Sequence, residues 1–203
     1  MLDRRRALIG GLVAVVVAAV AVVALLWPHN DPKPPTAAPS PSATTASPTP
    51  SVGPVRDIGV PDRLVVPSIA VDAPVIQVGT ADDQSQEVPS SLTDTGWWRD
   101  GQQPGQAGHA VIVGHTASKD EGVFDRLGEL AEGDEIEVMS GDERVTFRVT
   151  GTQDVPVAEF GKVAPEVYRS EGEPGVVLMT CGDWNGVEFE STVIVTAEAV
   201  SAT

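Results

Sequence analysis

The 203-residue sequence contains a single cysteine, and only 4% of its residues are aromatic. One cysteine cannot form an intramolecular disulfide, so a disulfide framework is excluded as a source of stability. The sequence has no internal repeat, and no group of His, Cys and Asp residues has the spacing of a metal site. We therefore expect one core-stabilised domain that works without a metal or another cofactor.

Basic residues are also scarce beyond the N-terminal segments. Residues 57–203 contain 8 lysines and arginines against 27 aspartates and glutamates. Such an acidic surface repels a phosphate backbone, which excludes nucleic acid as a partner. Basic partners remain compatible with it, and so does a charge that serves only solubility.

Charge is absent altogether from Ala7 to Trp27, a run of 21 residues that follows Arg4–Arg6. An α-helix needs about 20 apolar residues to cross the hydrocarbon core, whereas the apolar part of a cleaved signal peptide has about 7–15. Residues 7–27 therefore predict an uncleaved transmembrane anchor, with a cleaved signal as the alternative. The arginines hold residues 1–6 in the cytoplasm, so we expect a single-pass membrane protein with an extracellular main domain.

Residues 28–56 are rich in Pro, Ser, Thr and Ala and hold nine of the 17 prolines. Such a segment cannot bury enough apolar area to fold, and its prolines extend it at about 3.1 Å per residue. This composition predicts a disordered linker, either a tether that carries the domain away from the membrane or a spacer without a length requirement. Residues 57–203 then form one domain, long enough to bury a core.

Strand-like runs recur at short spacing within this domain. The spacing and the turn signals predict a mainly β fold, a closed or nearly closed antiparallel-type barrel of about eight strands. Two short helical pieces are predicted at Val123–Leu127 and Lys162–Arg169. The run Ala110–Val113 is apolar throughout, as expected for a strand covered on both faces. The strand-like runs are Arg63–Pro67, Val71–Val78, Glu87–Pro89, Thr93–Trp98, Ala110–Val113, Glu135–Met139, Val145–Val149, Val176–Thr180 and Thr192–Val200.

Cys181 lies directly after the apolar run at 176–180. A free cysteine is either buried filler or a nucleophile, and the second role requires a nearby cation or base, for which histidine is the usual choice. Of the three histidines, His29 lies in the linker and His109 is interpreted as a surface or strand-entry residue. His115 follows the run Ala110–Val113, so two strand ends of one barrel can bring His115 and Cys181 together.

Two segments that contain these residues, Val111–Thr116 and Leu178–Gly182, resemble the signature strands of the sortases. The resemblance covers nearly the whole domain, from about residue 61 to 199, and is strongest to the actinobacterial class E/F sortases. It implies an eight-stranded sortase-type β-barrel and a cysteine transpeptidase. The further segments that carry it, in the same order, are Arg63–Val75, Thr95–Trp98, Val123–Leu127 and Gly133–Ile136.

The resemblance also implies roles for individual residues. Cys181 would attack a carbonyl in an LPxTG- or LAxTG-like C-terminal sorting signal and form an acyl-thioester, with His115 as general acid and base. Thr180 would line the substrate cleft. The implied partners are secreted proteins that bear such signals and an amine nucleophile from a cell-wall precursor or a pilin lysine.

One position departs from the family pattern. Sortases carry an arginine on the strand after the cysteine, but residues 186–197 contain none, and the position falls on Glu190. A carboxylate there would oppose a developing oxyanion and raise the pKa of the thiol. Either an arginine from a loop (Arg99, Arg126 or Arg169) or backbone N–H groups near Gly182 would have to substitute. The alternatives are a degenerate sortase-fold peptide-binding protein with weak or no turnover, and an unrelated cell-surface β-barrel.

Overall fold

A computed structural model of the protein describes residues 55–82 and 85–202. The predicted cytoplasmic N-terminus (1–6), the anchor (7–27) and all but the last two residues of the predicted linker (28–56) lie outside the described residues. None of the helices formed by the described residues has the length and apolar character needed to span a membrane.

Eight strands form a closed barrel in the order β1-β2-β3-β4-β7-β8-β6-β5. Together with one short α-helix, this confirms the predicted mainly β barrel for the part of the chain described. Residues 67–69, 127–129 and 157–159 form 3-10 turns. The strands are β1 (Arg63–Val66), β2 (Val71–Val78), β3 (Thr95–Trp98), β4 (His109–Gly114), β5 (Glu135–Ser140), β6 (Glu143–Pro156), β7 (Gly175–Trp184) and β8 (Phe189–Ala202), and α1 spans Phe160–Val167.

The barrel is not antiparallel throughout. The pairs β2–β3 and β4–β7 are parallel, whereas the other six are antiparallel. Parallel neighbours require a long crossover connection. Residues 79–94 supply one crossover, and the chain through β5, β6 and α1 supplies the other.

Two local predictions need correction. The segment Glu87–Pro89 is not a strand, because only Gln86 forms an isolated bridge, to Thr80, and the chain then leaves the sheet. The segment Val123–Leu127 forms turns that lead into the 3-10 turn at Leu127–Glu129 instead of an α-helix. Its Phe124 and Leu127 are nevertheless fully buried, as the shared apolar face predicts.

Strand β4 lies between two apolar clusters, one inside the barrel and one outside it. Ala110 and Ile112 point into the barrel interior. Val111 and Val113 point to the outer cluster, which α1 covers with Phe160 and Val163. Every residue of β4 is buried, so the prediction of a strand covered on both faces is confirmed. This burial fixes the strand register, because a slip of one residue would exchange the two faces.

Candidate active site

The candidate site forms where the parallel strands β4 and β7 end side by side. Their register runs from His109↔Gly175 to Val113↔Met179, so each pair joins residues 66 positions apart. His115 and Cys181 are separated by the same 66 positions. Neighbouring strands lie about 4.8 Å apart, so continuing this register brings His115 and Cys181 to adjacent positions. Both side chains line one cleft, which agrees with the predicted juxtaposition.

Thr180 joins the two strand ends. Its hydroxyl donates a hydrogen bond of 2.9 Å to the Gly114 carbonyl oxygen, and its Oγ1 lies 2.7 Å from Oγ1 of Thr116. Only 6% of Thr180 is exposed, so these bonds are shielded from water. The threonine that was expected to line the cleft therefore also ties the strand of the nucleophile to the strand of the histidine.

The cleft lies against the outer apolar cluster, which contributes side chains to its walls, and has a volume of about 330 Å³. A second cavity of about 600 Å³ shares Gln86, Phe160 and Tyr168 with it and adds Trp98. Tyr168 is placed by an edge-to-face contact with Trp98, at 5.0 Å between ring centroids. The apolar side chains that line the first cleft are Val88, Val113, Val157, Phe160, Tyr168 and Met179.

Cys181 lines the cleft and is exposed. The cleft walls nevertheless remove enough water to raise the pKa of its thiol, because desolvation disfavours the charged form. Burial, and not charge repulsion from Glu190, is the cause of this shift. A thiol of this kind stays protonated at neutral pH and needs a base to become a nucleophile.

His115 makes one short hydrogen bond, in which its Nε2 lies 2.6 Å from the Pro89 carbonyl oxygen. A carbonyl oxygen can only accept, so Nε2 carries a proton and donates it. In the neutral ring, Nδ1 is then the nitrogen with a free lone pair. Nδ1 is therefore the atom available to exchange a proton within the cleft.

Glu190 lies outside the residues that line the cleft. Its carboxylate accepts a hydrogen bond of 2.7 Å from Nδ2 of Asn185, in the exposed connection between β7 and β8. The residue paired with Cys181 across the β7–β8 ladder is Thr192, which also lines the cleft.

The three arginines considered as substitutes for the family arginine lie elsewhere. Arg126 forms an ion pair with Glu129 at 2.7 Å, and Arg169 pairs with Glu166 at 3.0 Å. The guanidinium of Arg99 packs against Gly79. Among the described residues that line the cleft there is no arginine or lysine.

His109 is the first residue of β4, as the strand-entry interpretation predicts, but it is a buried structural residue and not a surface residue, since only 4% of it is exposed. Its Nδ1 donates to the Glu166 carbonyl oxygen at 2.8 Å, and its Nε2 accepts from Nε of Arg169 at 2.9 Å. Gly175 leaves room for the ring, since a Cβ there would lie 2.6 Å from the imidazole Cδ2. These partners lie about 60 residues away in the chain, so no local pattern could have predicted this role.

Because His109 is buried, we expect the protein to lose stability in mild acid. Burial, followed by the nearby Arg169 charge, lowers the pKa of His109 below its ordinary value of 6.5. The folded state then binds fewer protons than the unfolded state, so this contribution is present above about pH 6.5 and is lost as the pH falls towards the folded pKa. Thermal unfolding measured between about pH 5 and pH 7.5 is expected to show that the free energy of unfolding falls more steeply with decreasing pH in the wild type than in His109→Gln. The two slopes of unfolding free energy against pH can differ by at most about 1.4 kcal/mol per pH unit. Parallel pH profiles for the two proteins would show that His109 is not the group responsible.

The described residues contain no group of three or more His, Cys, Asp or Glu side chains placed to hold a metal ion. The cleft lining itself supplies a thiol, an imidazole and hydroxyl groups. Such a set can carry out acyl transfer through a covalent intermediate.

The known proteins that are similar to this chain point to one family. Residues 64–200 match the family model described as the sortase domain. The chain is 24% identical over 119 residues to sortase A of Bacillus anthracis, which covers 59% of this chain and 50% of that protein. It is 25% identical over 118 residues to sortase D of Bacillus subtilis, with coverage of 58% and 52%. The chain thus spans about half the length of these curated relatives.

A solved structure is also similar to this chain in fold and in sequence. The crystal structure of sortase C-1 from Actinomyces oris superposes with a TM-score of 0.53 at 27% identity, covering 68% of this chain and 72% of that one. The family model alone accounts for more than half of the chain. With its closed eight-stranded barrel and the cleft at the ends of β4 and β7, this protein belongs to the sortase family.

Proposed function

We propose that this protein is a cysteine transpeptidase, with Cys181 as nucleophile and His115 as general acid and base. The observation that carries the proposal is the meeting of these two side chains in one apolar cleft, at the ends of two parallel strands in fixed register. A thiol with a raised pKa beside an imidazole is the arrangement in which the base supplies the thiolate during the reaction.

The proposed reaction has two halves. His115 removes the Cys181 proton, and the thiolate attacks a backbone carbonyl carbon of the substrate to give a tetrahedral intermediate. This intermediate expels the peptide amine, which takes the proton from His115, and leaves an acyl-thioester on Cys181. An incoming amine, deprotonated by His115, then attacks the thioester, and the released thiol regains its proton.

The proposed substrate is a secreted protein with an LPxTG- or LAxTG-like C-terminal sorting signal. The apolar cleft and the adjoining cavity beside Trp98 support this choice, because they offer apolar surface to an extended peptide beside the thiol. The proposed second substrate is an amine of the cell envelope, from a cell-wall precursor or a pilin lysine. In this proposal residues 7–27 anchor the protein in the cell membrane, with residues 57–203 outside.

Stabilisation of the oxyanion is where this chain differs from its family. Glu190, where the sequence comparison expects the arginine, lies outside the cleft and bonds to Asn185, and no arginine or lysine is among the described residues that line the cleft. Backbone N–H groups near Gly182 are the donors we propose in its place. Removing one oxyanion donor costs about 10²–10³ in rate, so we expect turnover to be slow.

The lack of an arginine or lysine among the described residues that line the cleft also favours a second candidate, a sortase-fold protein that binds sorting-signal peptides without covalent turnover. Both candidates use the same cleft. They differ only in whether Cys181 becomes acylated.

Trapping the thioester tests the proposal. The purified protein is incubated with a panel of LPxTG- and LAxTG-type peptides, with and without a strong amine nucleophile, and analysed by intact mass spectrometry. The transpeptidase is expected to gain the acyl mass on Cys181 and to release an amine-exchanged peptide. Peptides with the threonine–glycine pair reversed serve as matched controls.

The absence of both acyl-enzyme and exchanged product across the panel would overturn the transpeptidase. Saturable peptide binding under the same conditions would then support the peptide-binding candidate.

A further inference from the structure

The ring of His115 receives its orientation from a backbone group. In the three-residue sites of hydrolases, a carboxylate or amide side chain accepts a hydrogen bond from the catalytic histidine and fixes its tautomer and orientation. Within residues 55–82 and 85–202, no Asp, Glu, Asn or Gln side chain forms a hydrogen bond with the ring of His115. The Pro89 carbonyl oxygen occupies that place, 2.6 Å from Nε2.

The segment that carries this carbonyl, residues 85–89, is anchored on both sides. Glu87 bonds to Gly79 twice, since its N–H donates to the Gly79 carbonyl at 3.0 Å and its carboxylate accepts from the Gly79 N–H at 2.7 Å. Gln86 accepts a hydrogen bond of 3.0 Å from the Tyr168 hydroxyl. The carbonyl of Pro89 is therefore presented by a segment tied both to the end of β2 and to the wall of the cleft.

Pro89 itself is buried, and its position depends on Gly96 of β3. A Cβ at residue 96 would lie 3.1 Å from Cγ and Cδ of Pro89 and 2.8 Å from Cγ1 of Val78. Both distances are shorter than ordinary van der Waals contact, so the proline ring occupies space that only glycine leaves open. Gly96 is not among the residues that line the cleft.

We propose that Pro89 is a positioning residue for His115 and that Gly96 makes this possible. The Pro89 carbonyl holds the proton on Nε2 and orients the ring, which leaves Nδ1 to exchange protons with Cys181 and with the substrate amine. This inference rests on the proposed function for its consequence in catalysis. The hydrogen bond itself is testable without any substrate.

The experiment uses the full 203-residue chain and the variant Gly96→Ala. The first measurement is the Nε2–H proton of His115 in NMR spectra of histidine-labelled protein, assigned with His29→Gln and His109→Gln. A proton that is bonded to a buried carbonyl exchanges slowly with water, so we expect a resolved signal in the wild type and its loss in Gly96→Ala. The second measurement is the rate of Cys181 alkylation by iodoacetamide, expected to fall in Gly96→Ala towards the rate of His115→Gln.

Gly151→Ala is the matched control. Residue 151 also lies in a strand, and a Cβ there meets only Oγ1 of Thr196 at 3.5 Å, an ordinary contact. It should retain both the Nε2–H signal and the alkylation rate. Pro89→Gly is the second variant, because it keeps the carbonyl but removes the packed ring, and it should act like Gly96→Ala even if Gly96→Ala folds poorly.

With sorting-signal peptides, Gly96→Ala and Pro89→Gly are expected to lower kcat at least about ten-fold while KM changes less than two-fold. A wild type without a slowly exchanging Nε2–H, or variants that keep it while alkylation slows, would overturn the positioning role. Loss of the signal together with slower alkylation, but no peptide turnover even in the wild type, would support the positioning role and overturn the proposed function.

Discussion

Replacing Cys181 with serine is expected to reduce transpeptidation by at least about 10³-fold, because the covalent step has no substitute nucleophile. A serine hydroxyl ionises far less readily than a thiol, and no arginine or lysine is among the described cleft residues to favour its anion. The measurement is single-turnover cleavage of the sorting-signal peptide that the wild type processes best, together with intact-mass detection of acyl-enzyme. No adduct is expected on the variant.

Thermal stability provides the control for this substitution. Cys181 is exposed, and exposed substitutions away from special features change stability by less than about 0.5 kcal/mol. The thermal midpoint of Cys181→Ser should therefore match that of the wild type. Cleavage by this variant within ten-fold of the wild type would show that another group performs the attack.

Replacing His115 with glutamine is expected to lower kcat by about 10²–10⁴-fold, the range for losing a general acid and base. Without the imidazole, the thiolate forms only by ionisation to solvent, and partial desolvation by the cleft walls raises the pKa of Cys181. The residual rate should therefore climb steadily from about pH 7 to about pH 9 as more thiolate forms. The pH profile of kcat for the variant and the wild type measures this difference.

His109→Gln is the matched control, since it makes the same change at the other histidine of the described domain. His109 bonds to Glu166 and Arg169 and lies outside the cleft, so its loss should affect stability in acid and leave kcat near the wild-type value at neutral pH. If the two variants lost similar activity at equal stability, His115 would not hold the role proposed for it.

Sequence periodicity predicted those parts of the fold in which local chemistry decides the structure. The bounds of Val71–Val78 are as predicted, and the turn between β5 and β6 falls on Ser140–Glu143, as its Gly and Asp residues indicate. The parallel pairings were missed, because strand direction depends on where a long crossover returns and not on the strand's own residues. Glu87–Pro89 has the composition of a strand, but its anchoring to Gly79 and His115 directs it over the cleft.

The candidate site, like the fold, could be predicted from the sequence only in part. The exits of two apolar strands predicted that His115 and Cys181 meet, and the β4–β7 register supports this. No sequence pattern predicted the Pro89 carbonyl, since any residue has one and only the fold decides where it points. The hydrogen bond of Glu190 to Asn185 likewise depends on the shape of the β7–β8 connection.

The closed strand order has a consequence for recognition. Each strand of the barrel has a neighbour on both sides over at least part of its length, and an extended peptide can add to a sheet only where a strand edge is unpaired. The pairing of β4 with β7 ends at Val113 and Met179, whereas β7 continues beside β8 as far as Trp184. The edge left unpaired there is a stretch of a few residues that includes Cys181. A main-chain ladder to the proposed peptide substrate would therefore be short at this place, and we expect the fit of its side chains to the apolar cleft and the cavity beside Trp98 to provide most of the selectivity.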